Sequence, residues 1–431
     1  MKKKLRIGIN AQIPAGSGAG GIETVLRALT SPGHLADGDE EYIFITHWAD
    51  HDWLKPLLSE RQKIVSAPKP LPLNTAVQTN YFEFIKQNVM PFARRVKNFI
   101  TPSPKISVPV SDAFYESLDC DVIHFPYQDF VHCRVPSIYN PHDLQHLHYP
   151  NFFTAQEIER REIIYPEACR AAQNVVTASQ FVKNDIIQKY EIEADKIQVI
   201  PWSPAKADLK EFTKKDADEL LEKYNCPTGS FMLYPAMTWE HKNHLRLLEA
   251  VYLLRERENL IVNLVCTGHK TDYYPQIENC LRELNLKNQI QFTGIVEYQE
   301  LSVFYRLSQF VIVPTLFEAA SAPIFEAWQH GAPAACSSVT SLPEQAADAA
   351  LLFDPFSVEA IAAAIKKMAT DENLRSELQM NGCQRLKNFD PERTAKAYRA
   401  IYRKTAGRIL NEEDEYLLGR DWTRDSRRDF D

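Results

Sequence analysis

The chain has no apolar run of the roughly 18 residues that a membrane-spanning helix needs, and its polar and charged residues recur throughout its length. It has no Cys-x-x-Cys pair among its eight cysteines. That spacing argues against a zinc site or a disulfide frame, and for reduced, mostly buried thiols in a cytosolic protein. An excess of basic charge is missing too. Forty-nine Lys and Arg against 57 Asp and Glu leave a formal net charge of −8, which argues against nucleic acid as the main partner. The opening Met1-Lys2-Lys3-Lys4 is basic, but the apolar stretch after it is too short for a signal peptide, and Leu5 to Asn10 reads as a first strand. No internal repeat of solenoid period is present.

What is present is ordinary for a globular protein: 45% hydrophobic and 25% charged residues over 431 positions. That length is enough for two domains, since one core rarely grows past roughly 250–300 residues. Short apolar runs alternate with helical patterns. In the first half they are Arg6–Asn10, Tyr42–Thr46, Val122–Phe125, Ser137–Asn140, Asn174–Ala178 and Ile197–Pro201. A second series follows the charged stretch Lys206–Tyr224, with Phe231–Tyr234, Ile261–Val265, Ile290–Thr293, Phe310–Val313 and Ala334–Cys336. Such alternation predicts an α/β fold of two doubly wound parallel sheets, joined near residue 205.

Two segments depart from the pattern. Residues 66–110 are proline-rich and mix aromatic with basic side chains. They fit a helical insertion on the first domain, or a peripheral contact with an anionic membrane face. From Asn411 to Asp431 the chain is densely charged, which predicts a surface segment or a frayed tail.

Chemistry concentrates at strand-to-helix junctions. Beyond the run Phe310–Val313, Glu318 and Glu326 stand eight positions apart, and Pro323 suits the first turn of a helix. This predicts Glu318 in a loop past a strand's carboxyl end and Glu326 in the first turn of the next helix. In open parallel sheets ligands bind there. Ionised carboxylates only accept hydrogen bonds, so the pair suits sugar or ribose hydroxyls. The plainer reading of Glu326 is complementation of the helix dipole. Lys242, in Tyr234–His244, opens another helix and could neutralise a diphosphate; the plainer reading is solvent exposure. His142, in Asn140–His146, follows a strand, and Asp143 could orient its ring.

Gly16, Gly18, Gly20 and Gly21 lie between the first strand and first helix, where backbone N–H groups attract phosphate. The loop is not a dinucleotide fingerprint, because Glu23 stands where the third glycine belongs, and no Lys-Ser or Lys-Thr makes it a Walker loop. Asp119-Cys120-Asp121 is one of several Asp-x-Asp triplets, and it precedes a strand at the amino end. No metal requirement is predicted, and no cofactor.

The Glu-x7-Glu spacing, with Ser341-Leu342-Pro343-Glu344 and Asp348–Pro355 downstream, resembles the motif of retaining glycosyltransferases of family 4, and Lys242-Asn243 resembles the motif opening their second domain. The resemblance covers roughly Arg6 to Tyr402 and leans toward mannosyltransferases. It implies the GT-B architecture, two Rossmann-like domains facing a deep cleft. The domains would be 1–205 on the acceptor side and 206–390 on the nucleotide-sugar side, with a helix at 391–409 crossing back onto the first and 411–431 as tail.

It further implies donor contacts. The base would lie near Ile295 and Val296, the ribose on Glu326, and the diphosphate on Lys242 and Gly20-Gly21. The sugar would lie on Glu318 and the N–H groups of Ala320 and Ser321, with His142 near the reacting carbon. Two departures stand out: Met237 where many relatives carry arginine, so that His241 could substitute, and Ala319-Ala320-Ser321 where relatives usually have glycine, aromatic, glycine. The implied function is retaining transfer of a sugar from a nucleotide-diphosphate sugar, GDP-mannose ahead of a UDP-sugar, to a glycan or glycolipid hydroxyl, in the cytoplasm or at the inner membrane face. A non-hydrolysing sugar-nucleotide epimerase and a degenerate nucleotide-sugar-binding scaffold are the alternatives.

Overall fold

The computed structural model describes residues 4–13, 38–49, 62–69, 106–204 and 209–423, together with Leu26, Leu29, Leu54, Lys55, Leu58 and Ser59. The Gly16–Gly21 loop, most of the 66–110 insertion and the chain past residue 423 lie outside the described residues.

The first sheet contains β1 (Arg6–Ala11), β2 (Glu41–Thr46), β3 (Gln62–Ser66), β4 (Val122–Phe125), β5 (Ser137–Tyr139), β6 (Asn174–Thr177) and β7 (Ile197–Val199). The second contains β8 (Phe231–Pro235), β9 (Asn263–Thr267), β10 (Ile290–Gly294), β11 (Phe310–Val313), β12 (Ala334–Ser337) and β13 (Ala350–Phe353). Every pairing is parallel. Strands such as Phe310–Val313 and Ala334–Ser337 are buried at every position, as helices on both faces require. The orders are β3-β2-β1-β4-β5-β6-β7 and β10-β9-β8-β11-β12-β13. Each order reverses once, between β1 and β4 and between β8 and β11. Ligand crevices of doubly wound sheets open at such reversals, beyond the strands' carboxyl ends.

The helices that build and flank the cleft are α1 (Ala155–Ala171), α2 (Gln180–Tyr190), α3 (His244–Glu258), α4 (Tyr298–Leu307), α5 (Ala322–Gln329), α6 (Leu342–Ala346), α7 (Pro391–Thr405) and α8 (Glu412–Gly419). Local chemistry sets their starts. Thr154 and Glu157 form a capping box at α1, Ser179 caps α2, and Asp390 caps α7 ahead of Pro391. Helix α7 leaves the second domain. Its Ala395, Ala397, Tyr398, Ile401 and Tyr402 join the apolar cluster of Ile7, Ile9, Tyr42 and Phe44 on the first sheet. Buried polar bonds fix its register: Tyr402 Oη to His124 Nδ1 at 2.9 Å, and Asn140 Nδ2 donating to Tyr398 Oη at 3.1 Å.

The charged end of the chain is not a frayed tail as far as residue 423. Asn411 and Asp414 form a capping box for α8, Arg403 pairs with Asp414, Lys396 pairs with Glu413, and Leu417 and Trp422 are buried in the first domain's core. The acidic residues face the basic side of α7, and that pairing with the apolar anchors overrides the disorder their composition suggests. All eight cysteines are free thiols, but only Cys169, Cys266 and Cys336 are fully buried. No described helix is long and apolar enough to cross a membrane.

Candidate active site

The reversal of the second sheet sets the end of β8 beside the end of β11. The two following loops are braced together. Asn243, at φ +62, donates its Nδ2 to the Pro314 carbonyl at 2.9 Å and to the Pro355 carbonyl at 2.8 Å. Asparagine tolerates this left-handed backbone better than most residues. The Leu316 N–H donates to the His241 carbonyl at 2.8 Å, and Tyr234 Oη donates to the Lys242 carbonyl, also at 2.8 Å. Gly268, at φ +117, lies under the β8 loop; a Cβ there would meet the Ala236 oxygen at 2.6 Å.

This bracing brings Lys242 and Glu318 together: Nζ lies 2.6 Å from Oε1, with 20% and 13% of the two side chains exposed. So little exposure leaves the pair poorly screened by solvent and salt. Glu318 is fixed from below as well. Its N–H donates to Thr340 Oγ1 at 3.1 Å, and its carbonyl accepts from Ser341 Oγ at 2.8 Å.

Glu326 sits differently from its sequence reading. Helix α5 begins at Ala322, so Glu326 falls in the second turn and the first turn holds no acidic residue. The helix-dipole account therefore loses its footing, because that effect fades after the first turn. Tyr305 Oη of α4 donates to Glu326 Oε2 at 2.5 Å, and the His330 ring stacks on Tyr305 with centroids 5.0 Å apart. Burial raises the Glu326 carboxyl above the ordinary range, while the Tyr305 hydroxyl opposes that rise.

Other expected contacts need revision. The Ser321 N–H is taken by Gln345 Oε1 at 2.8 Å, and Gln345 Nε2 returns a bond to the Ser321 carbonyl at 2.8 Å. That leaves Ala320, which lines the hollow between the domains with Ala178, Ser179, Trp202 and Ala319. Burial and the Lys242 charge hold His241 well below the usual imidazole range, so it is neutral and cannot replace the missing arginine at Met237. Ile295 is 73% exposed at the rim past β10, and Val296 packs against the core.

His142 lies past β5 with φ +67. Its Nε2 is 2.7 Å from the Pro126 carbonyl, which only accepts, so Nε2 carries the hydrogen. Burial lowers the ring's pKa, leaving neutral imidazole with Nδ1 as acceptor. The carbonyl of Pro126 orients the ring. Asp143 does not: its Oδ1 accepts from the Gln145 N–H at 2.9 Å. Asp119 and Asp121 are bound to Arg6 at the amino end of β4, at 3.1 and 2.9 Å.

Sequence reasoning placed Lys242, Glu318 and Glu326 at one crevice but missed Tyr305, Thr340, Gln345 and the brace by Asn243. Of these only Asn243 left a signal, as the neighbour of Lys242 at a helix start. Gly20 and Gly21 lie outside the described residues.

Comparison with known proteins follows the two domains. The family model for glycosyltransferase family 4 matches residues 19–202, and that for glycosyl transferases group 1 matches residues 216–385. The chain is similar to O-antigen chain mannosyltransferase B of Escherichia coli, 27% identical over 298 residues, which are 64% of this chain and 75% of that protein. It is also similar to O-antigen chain mannosyltransferase RfbU of Salmonella typhimurium, 25% identical over 55% of this chain and 63% of that protein, so it spans less than two thirds of that relative. In fold it resembles sucrose-phosphate synthase from Thermosynechococcus elongatus, with a TM-score of 0.66 at 19% identity over 93% of this chain and 99% of that one. The chain belongs to the group 1 glycosyltransferases and has their GT-B pairing of two parallel-sheet domains.

Proposed function

We propose that this glycosyltransferase moves mannose from GDP-mannose to a hydroxyl of a growing glycan or glycolipid, with retention at the anomeric carbon. The observation that carries the reading is the Lys242–Glu318 pair at the sheet reversal, eight residues ahead of Glu326. The mannosyltransferase relatives support the donor, and their naming as transferases does not favour the epimerase or scaffold alternatives.

Departure of the nucleotide diphosphate leaves positive charge on the anomeric carbon and negative charge on the phosphate. Lys242 offsets the latter, aided by the N–H groups at the start of α3. Glu318 accepts from the sugar's hydroxyls and stabilises the former; it is not a nucleophile. The acceptor oxygen bonds to the anomeric carbon on the face the phosphate leaves, and its proton passes to a phosphate oxygen. His142 Nδ1 accepts from a donor-sugar hydroxyl, Ala320 contacts the sugar, Glu326 holds the ribose, and Ile295 and Val296 border the base. We place the enzyme in the cytoplasm, with a peripheral membrane contact through 66–110 tested by vesicle flotation; recovery only in the unbound fraction would refute that contact.

Glu318→Ala and Lys242→Ala are each expected to lower turnover of GDP-mannose by about 100-fold or more with the melting temperature retained. Turnover like the unmodified chain in either variant sinks the assignment. No metal is needed in this scheme, so EDTA dialysis should leave the rate unchanged, and a loss restored by a divalent ion would refute it.

A further inference from the structure

Glu318 belongs to the second domain, yet the residues on both sides of it are gripped by the first. The Leu316 carbonyl accepts from Tyr149 Oη at 3.2 Å. The Phe317 ring, 3% exposed, lies edge-on to Tyr149 at 6.2 Å and 81°, and to Phe181 at 6.0 Å and 71°. The His148 ring closes a third side at 5.4 Å, held by its Nε2 against Asp185 Oδ2 at 2.7 Å. Ala319 is buried in the apolar cluster built on the first sheet. Between these contacts, the peptide groups of Glu318 are bonded only within the second domain, to Thr340 and Ser341.

We propose that Tyr149 and Phe181 are positioning residues: by clamping Phe317 they let the first domain set where the Glu318 carboxylate stands. Edge-on aromatic pairs are favourable only at short range and in defined orientation. Separating the domains removes the restraint on residues 316, 317 and 319 together, and leaves Glu318 on a loop held from one side. The Lys242 loop is braced by Asn243 and Tyr234 of its own domain, and its ring contact with the first domain, Phe152 to His241 at 6.1 Å, is one that Phe181→Leu leaves in place. The Phe181 side of the clamp therefore acts more on the sugar end of the donor site than on the diphosphate end. Its catalytic consequence rests on the reading of Glu318 as the donor-sugar contact.

The test uses the full chain, with Tyr149→Phe removing only the hydroxyl, Phe181→Leu removing a ring, and Phe181→Tyr restoring one. Amide hydrogen exchange of the peptide spanning 315–320 is expected to rise about fivefold in Phe181→Leu and to return in Phe181→Tyr, with β8 and β9 unchanged. Affinity for GDP, read by calorimetry, is expected to stay within about twofold, while turnover of GDP-mannose falls about tenfold. Unchanged exchange at 315–320 overturns the clamp, as does a loss of GDP affinity matching the loss of turnover. Glu318→Ala in the same assays separates the two claims. If it turns over donor normally while the exchange result holds, the donor-contact reading of Glu318 falls and the mechanical coupling stands.

Discussion

At the scale of single residues, the site is defined by who holds whom. Lys242 and Glu318 neutralise each other before any donor arrives, so each variant also strands its partner, and their effects should not add. Glu326 offers a sharper case. Its carboxylate accepts from the Tyr305 hydroxyl, which opposes the upward push of burial. Tyr305→Phe therefore raises the Glu326 pKa further. At a given pH less of the carboxylate is ionised, so GDP binding should weaken by about 3- to 10-fold. The acid limb of the binding profile should move to higher pH. Calorimetry between pH 5 and 8, read against ordinary values for carboxyl groups, checks this, and a superimposable profile refutes it. Motif spacing pointed to Glu318, Glu326 and Lys242 as candidates. It could not show that Lys242 and Glu318 touch, because they lie 76 positions apart and meet only because β8 pairs with β11.

At the scale of elements, strand identity was readable because buried parallel strands are apolar at nearly every position, as in Phe310–Val313. Helix starts were less so. Pro323 marked the start of α5, but the register that puts Glu326 in the second turn depends on Ser321 being held by Gln345. At the end of the chain the surface-segment reading holds and the frayed-tail reading fails for a related reason: its charge is spent on α7, which composition cannot reveal. Helix α7 also covers a buried imidazole, His124 of β4. Burial holds His124 down to about 4, against an ordinary value near 6.5. The unfolded chain thus binds the proton first. Stability is whole above pH 6.5 and falls as pH drops toward 4, by about 3 kcal/mol from this group. His142 and His244 are depressed in the same direction and steepen the fall. A melting temperature that stays flat across this window would be incompatible with a buried neutral His124.

At the scale of the whole molecule, the domains are fastened by a carboxylate as well as by rings. Glu344 of α6 accepts from the N–H groups of Gln180 and Phe181 at 3.2 and 3.3 Å, capping α2 of the other domain. Glu344→Ala should cost about 1–2 kcal/mol and enlarge the radius of gyration in solution scattering. Unchanged values in both would remove Glu344 from the interface. None of this was visible in the sequence, where Glu344 was only part of a downstream motif; a cap supplied from another domain has no local spacing to announce it.

The return of α7 to the first sheet has a consequence for biosynthesis. Tyr398, Ile401 and Tyr402 complete a core begun by Ile7 and Ile9, so the domain synthesised first cannot close until the ribosome has passed residue 402. The second domain, contiguous in the chain, has all its strands by Phe353 and is free to fold earlier. The nascent first half must wait with part of its apolar face uncovered, which makes it the segment for a chaperone to shield.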